Sequence, residues 1–368
     1  MNFAIGNINI EIIGQSFIAK NMRDILNPIG TENPNADLIF EFVDRLPAWT
    51  ARPHTVLDNY SIAADLVRVK DKLFCYELSY EVPAKVLIAR RKINIVKSIR
   101  LIAAKSGRYF HTHGKGAKLH YLKRFVYYLF MPLVELMLLK NHSSFAHCSA
   151  IEKENMVILF PAWGGVGKTG IMSRYLDDGW KFLSDDSCVI MSDGTACINP
   201  LPMHIYKYHE IQNRKLVEQM LSQTGAFDRL LWKVLSKVKK PDRLVRWVGA
   251  DKVFGKEKIS NCGKIAAVVH MCRRMKCDVF ELKSVRPAEA AGLMASTIIG
   301  EINNLVDISI AVHSCQPTDF IPDAGSLYRR ITDIYTSAFC KAKCYTLAIP
   351  ERANTEDIYS FIKDRKLF

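Results

Sequence analysis

Residues 159–170 read LFPAWGGVGKTG, and the reading of this stretch decides the fold. It is entered from an apolar run, Met156 to Phe160, and it leads into a helical pattern over Lys168 to Asp177, closed at Gly179. A short, continuous apolar run is what a strand buried on both faces requires. Strand, glycine-rich turn and helix, in that order, make a loop whose backbone N–H groups converge on phosphate oxygens. The helix N-terminus adds positive partial charge there. The residues follow the phosphate-loop pattern G-x-x-x-x-G-K-[ST]. Gly164, Gly165, Val166, Gly167, Lys168, Thr169 and Gly170 are therefore the candidate nucleotide-binding residues. Lys168 would reach the outer phosphates as a point charge, and the Thr169 hydroxyl is the hard oxygen ligand that Mg²⁺ takes. Ala162 stands where the pattern has its first glycine, an exchange that a negative φ tolerates. The plainer alternative is a turn between strand and helix with no ligand, and it leaves the Gly-Lys-Thr unexplained.

Downstream, Lys181 to Met191 reads as the next strand, and within it lies Phe182-Leu183-Ser184-Asp185-Asp186-Ser187. Neighbouring carboxylates on a strand point to opposite faces unless the strand has ended. At the carboxyl end of a parallel strand beside a phosphate loop, such a pair can divide labour. One carboxylate holds Mg²⁺ or its water, and the other accepts a proton from an attacking hydroxyl. Upstream, His147 sits in Phe145-Ala146-His147-Cys148-Ser149-Ala150. By itself a lone histidine is more often packed or capping than catalytic.

Taken together, His147-Cys148-Ser149-Ala150, the apolar strand, Trp163 to Thr169, the helix closing in Asp177-Asp178-Gly179-Trp180, the Asp185-Asp186 pair and Pro200-Leu201-Pro202 resemble the kinase domain of the HPr kinase/phosphorylase superfamily. That fold is related to PEP carboxykinase. The resemblance is specific over residues 145–205 and weaker over 264–300, where IAAVVHMCRR is followed by Val285-Arg286-Pro287. It implies ATP as donor, Mg²⁺ as cofactor and a hydroxyl as acceptor. It also implies roles: Lys168 on the β-phosphate, Thr169 and Asp186 at the metal, Asp185 as catalytic base, and His147 lining the phosphate site, with the two aspartates able to exchange. Gly170 departs from the family, whose HPr kinases carry glutamate there and whose smaller relatives carry serine or threonine. The first 118 residues do not resemble the regulatory domain of those kinases.

The fold class expected is α/β: an HPr-kinase- and PEP-carboxykinase-like P-loop domain with a central mixed sheet over 119–368, preceded by a smaller strand-rich α+β domain over 1–118. In the latter, Ile8, Ile10 and Ile12 alternate with polar residues, as do Leu38, Phe40 and Phe42, and residues 65–77 read as two strands. Phe125 to Leu139 is apolar but interrupted by Pro132 and Glu135, and it is shorter than the ~20 residues of a spanning helix, so it reads as a core helix. Ten cysteines carry no CxxC pair and no zinc spacing. With an N-terminus that alternates like a strand, the setting expected is cytoplasmic.

The formal net charge of +14 favours acidic partners. Basic residues crowd 85–124 and 233–258, the second set including Lys233, Lys237, Lys239, Lys240, Arg243 and Arg246, with a basic amphipathic helix, interrupted at Pro241, expected over 228–247. A solvated face is the plainest reading of such runs. The sharper ones are an acidic acceptor and peripheral contact with an anionic inner-membrane surface. Nucleic acid is set aside because no recognised binding module is present. A homo-oligomer is the expected assembly. The function expected is Mg²⁺-dependent phosphoryl transfer from ATP to a hydroxyl on a peptide serine, a small molecule or a glycan. The reading from another class is a catalytically weak nucleotide-binding module that docks to a membrane or a protein.

Overall fold

The computed structural model describes residues 1–33, 35–49, 53–56, 59–91, 116–241, 244–365 and 367. The chain divides into two compact units. The first holds the described residues of Met1–Ala104, Ala117–Asn141 and Ile299–Arg330; the second holds those of Lys105–Gly116, His142–Ile298 and Ile331–Phe368. The sequence reading drew a single boundary near residue 118. The units interleave instead, because the apolar segment up to Lys140 belongs with the N-terminal strands.

In the first unit, strands β1 (Asn2–Ile5), β2 (Ile8–Ile13), β3 (Gly30–Thr31), β4 (Leu38–Val43), β5 (His54–Val56), β6 (Tyr60–Ala63), β7 (Leu66–Lys70), β8 (Phe74–Ser79) and β9 (Ala84–Arg90) form one mixed sheet. Its order is β3-β1-β2-β4-β9-β8-β7-β6-β5. The alternation read from sequence is the alternation of burial: Ile8, Ile10 and Ile12 all turn inward. The apolar segment becomes the helix Gly116–Phe125, a π-helical turn Val126–Phe130 and the helix Met131–Lys140, with Pro132 in its first turn, where a missing N–H costs little. Phe125 and Phe130 pack on Phe40 of β4 at ring separations of 6.0 and 5.2 Å. Every residue from Met131 to Leu139 is buried, as a core helix requires. Among the described residues no single helix is long and apolar enough to cross a membrane.

In the second unit, β10 (Ser143–Ala146), β11 (Cys148–Lys153), β12 (Met156–Pro161), β13 (Lys181–Ser184), β14 (Cys188–Met191), β15 (Thr195–Ile198), β18 (Cys262–Arg274), β19 (Glu281–Ser284) and β20 (Lys343–Pro350) form a second mixed sheet, and β16 (Met203–Tyr206) pairs with β17 (Val245–Val248) apart from it. The protein is thus α/β, with mixed sheets and many helices. The path of the larger sheet is β10-β14-β15-β18-β12-β11-β13, with β20 on β18 and β19 on β20.

Strand directions fix where the chemistry gathers. β12 runs parallel to β18, and β18 parallel to β20. β13 is antiparallel to β11, which is itself antiparallel to β12, so β13 shares the direction of β12. The carboxyl ends of β12, β13, β18 and β20 therefore lie at one edge of the sheet, and β11 starts there. Two expectations change. The strand expected over Lys181 to Met191 is broken at Asp185-Asp186-Ser187 into β13 and β14, which lie far apart in the sheet order. Asp185 and Asp186 follow a strand whose ladder is antiparallel, not parallel, although it points the same way as β12.

The helix expected over 228–247, interrupted at Pro241, ends before that proline and does not resume after it. It spans Ala226–Val238, and Arg246 and Trp247 lie on β17. Arg246 is fully buried, so it contributes nothing to a basic surface. Arg243, and residues 92–115 of the first basic run, lie outside the described residues.

Candidate functional site

The buried strand β12 ends at Pro161, and the chain turns through Ala162–Gly167 into the helix Lys168–Asp177. Gly165 and Gly167 have φ of 81° and 116°, left-handed values that a side chain resists. Ala162 is fully buried and does not share that region, so its methyl group is accommodated. Trp163, Gly164 and Gly165 form the exposed tip. Arg273, near the end of β18, braces the loop from beneath. Its Nη2 donates to the Val166 carbonyl at 3.2 Å, and its Nη1 donates to the carbonyls of Pro350, Glu351 and Ala353 at 3.0, 2.8 and 2.9 Å. One planar guanidinium thus ties the glycine-rich turn to the chain leaving β20.

Gly170 has a different job from its neighbours. A Cβ there would lie 2.6 Å from Thr355 Oγ1 and 2.9 Å from Thr355 Cγ2, at the start of the helix Thr355–Asp364. The first turn of one helix packs directly on the first turn of the other, and only a hydrogen fits between them. The residue that departs most from the family pattern is therefore a packing residue, turned toward Thr355.

Lys168 is buried, and its Nζ donates to the Ala162 carbonyl, with the Trp163 carbonyl at 3.4 Å and His147 Nε2 at 3.0 Å. An ammonium only donates, so His147 accepts at Nε2 and is neutral. Burial and the Lys168 charge push the His147 pKa down to about 4, with Asp186 working the other way. His270 on β18 is lowered too, by burial and by the same lysine.

The two aspartates occupy unlike environments. Asp185 is buried; its Oδ1 accepts from Thr169 Oγ1 at 2.7 Å, and Ser149 Oγ donates to its backbone carbonyl at 2.8 Å. Burial and the neighbouring Asp186 charge push its pKa up to about 7, against the pull of Thr169, Lys168 and Ser149. The Asp186 side chain is 43% exposed and pairs with His204 Nδ1 at 2.9 Å. Desolvation raises its pKa, but the His204 hydrogen bond and the charges of His204 and Lys168 outweigh that and hold the carboxyl well below the usual range. Adjacent carboxyl groups driven apart in this way are a recurring feature of sites that handle protons.

His147, Lys168, Thr169, Asp185 and Asp186 are thus brought together at one sheet edge, with Gly164 to Gly167 forming the turn above. Sequence reasoning missed Arg273, His204, Tyr208 and His209. Burial and both aspartates raise the Tyr208 hydroxyl to about 12, and burial lowers His209 to about 4. A signal was present: His204, Tyr206 and Tyr208 alternate at strand period directly after Pro200-Leu201-Pro202. Among the described residues no group of three or more His, Cys, Asp or Glu is placed to hold a metal ion. The Thr169 hydroxyl and the Asp185 carboxyl group, 2.7 Å apart, are instead a pair of hard oxygen donors of the type Mg²⁺ takes.

No family model matches the chain. No curated protein matches it either. Among solved structures it is similar to the Hpr(Ser) kinase/phosphatase from Coxiella burnetii, at 9% identity and a TM-score of 0.29, covering 61% of this chain and 97% of that one. A likeness this faint carries no argument, and the functional reading rests on the residues themselves.

Proposed function

We propose that the second unit is a Mg²⁺-dependent kinase that transfers a phosphoryl group from ATP to a hydroxyl acceptor. The observation that carries this reading is the Thr169–Asp185 hydrogen bond beside Lys168, at the end of a strand–glycine loop–helix segment. The backbone N–H groups of Gly164 to Lys168 would cradle the phosphates, with the Lys168 ammonium on the outer ones. Mg²⁺, when bound, neutralises charge on the phosphate oxygens, and Thr169 and Asp185 are the residues that would hold it.

The geometry favours exchanging the two carboxylate roles from those first expected. Asp185 already shares a proton with the hydroxyl on the metal side, whereas Asp186 is half-exposed and kept ionised by His204. Asp186, though the weaker base of the two, is therefore the carboxylate that stands ionised and open to an acceptor. It would take the acceptor's proton as the acceptor oxygen forms its bond to phosphorus and the bond to the departing ADP oxygen breaks. His147, neutral and bonded to Lys168, would keep that ammonium aligned.

The test compares Asp185→Asn and Asp186→Asn. Asp186→Asn should lower turnover at least a hundredfold with nucleotide affinity unchanged, on the scale of general-base loss. Asp185→Asn should instead raise the Mg²⁺ concentration required. The same Mg²⁺ requirement in both variants would refute the division of roles.

A further inference from the structure

The helix Ala226–Val238 exposes a row of large apolar side chains. Phe227, Leu230, Val234 and Val238 are 73, 60, 52 and 76% exposed. At 3.6 residues per turn these positions fall within about 80° of one another. Arg229, Lys233 and Lys237 form a second exposed row along the neighbouring flank, and Lys240 extends it past the helix end. The inner side is anchored: Trp232 is 1% exposed, and its indole N–H donates to Glu210 Oε1 at 2.7 Å. Lys207 Nζ donates to the Ser236 carbonyl. Asp228 is the helix's single acid and acts on Arg246, toward the buried side.

A helix of a folded unit ordinarily turns its apolar stripe inward. Here Trp232 and the partly buried Leu235 serve the interior, while the apolar row points to solvent beside a row of cations. Contiguous exposed apolar surface of this kind marks a binding face. We propose that this face docks the second unit on an anionic lipid surface. The pairing of one apolar row with one basic row is what a helix lying in a bilayer interface needs. The apolar row enters the acyl boundary, and the lysines and arginine meet phosphate headgroups. Charge complementarity selects the surface, because the basic row lies beside the apolar one with no acid between them.

The face is tied to the candidate site through the chain that anchors it. Glu210 and Lys207 flank Tyr208 and His209, both of which feel the charge of Asp186. Docking therefore holds against the bilayer the segment that lines the acceptor side of Asp186. The inference does not rest on the kinase reading, because lipid binding is measured without nucleotide.

The experiment is co-sedimentation of the full chain with vesicles of phosphatidylcholine alone and of phosphatidylcholine mixed with phosphatidylglycerol. Binding to the mixed vesicles is expected, falling with added salt. Phe227→Ser with Leu230→Ser should weaken it at least ~tenfold, as loss of apolar burial. Lys233→Glu should weaken it more than the ~fivefold expected for loss of one basic contact, because it also adds a like charge. Hydrogen exchange in 226–238 should slow on adding mixed vesicles, and circular dichroism with thermal unfolding of the same variants reports that they remain folded. Equal binding to both vesicle types, no binding to either, or binding untouched by the Phe227 and Leu230 substitutions would overturn the proposal. So would equal protection of the helix by polyglutamate, which marks a site for acidic proteins.

Discussion

The Thr169 hydroxyl donates to Asp185 Oδ1 at 2.7 Å, joining the first turn of one helix to the bend between β13 and β14. Asp185 is buried and its pKa is pushed up, so its ionised form is costly at neutral pH. A group whose folded pKa is raised binds more protons folded than unfolded between the two values. Its contribution to stability is full below the ordinary carboxyl value of 3.8 and is lost as pH rises toward about 7. Asp185→Asn keeps an acceptor for Thr169 and removes the charge. The variant should match the wild type near pH 4 and exceed it at pH 8 by about 0.5–2 kcal/mol, the scale of relief at a strained functional site. Denaturant unfolding at the two pH values measures this, and a gap that shrinks as pH rises would contradict it.

Lys168→Ala should cost ~10–100-fold in ATP affinity, the scale of a lost charge-assisted contact. It should also raise the His147 pKa from about 4, because one of its two depressing causes is removed while burial remains. Imidazole proton shifts followed against pH read this directly. An unchanged His147 titration would mean that the 3.0 Å contact does not form in solution.

Gly170→Ala should destabilise the second unit by about 1–3 kcal/mol, because the added methyl meets Thr355. Thr355→Ala removes the two atoms nearest that methyl. The double variant should therefore recover most of the loss, and thermal unfolding of the four proteins forms the cycle. Simple additivity of the two substitutions would place the methyl elsewhere.

Arg273→Lys should loosen the glycine loop although it touches no substrate. A lysine cannot serve the Val166, Pro350, Glu351 and Ala353 carbonyls from one planar group. Amide exchange over Trp163 to Gly167 should quicken, and ATP affinity should fall about tenfold, the scale of a hydrogen bond to a charged group. Unchanged exchange in that loop would show that the brace is dispensable.

Much of the architecture was legible because single periods carried it. Alternation gave β2, β4, β7 and β8, and the apolar run gave β12. The strand break at Asp185 was read over, although Ser184 to Ser187 is a run of four polar residues between two apolar stretches, and the pairing of β13 with β11 and of β14 with β10 separates the halves. Arg273 was invisible because a bracing arginine at a strand end looks like any charged terminus. Arg246 read as surface charge, yet on β17 it is fully buried with the Trp232 ring beside it. The site's core, Lys168, Thr169 and the aspartate pair, lies in one short segment, so spacing sufficed. His204 comes from the small separate sheet, and Tyr208 and His209 from the chain just after it, whose placement depends on tertiary packing.

The most direct test of the kinase reading is incubation of the full chain with γ-labelled ATP and Mg²⁺ together with metabolite, glycan and peptide fractions, beside Asp186→Asn. Label that enters one fraction, and is lost with Asp186→Asn while ATP still binds, is the result expected. ATP bound by the wild type with no label in any fraction, or label undiminished in the variant, would contradict it.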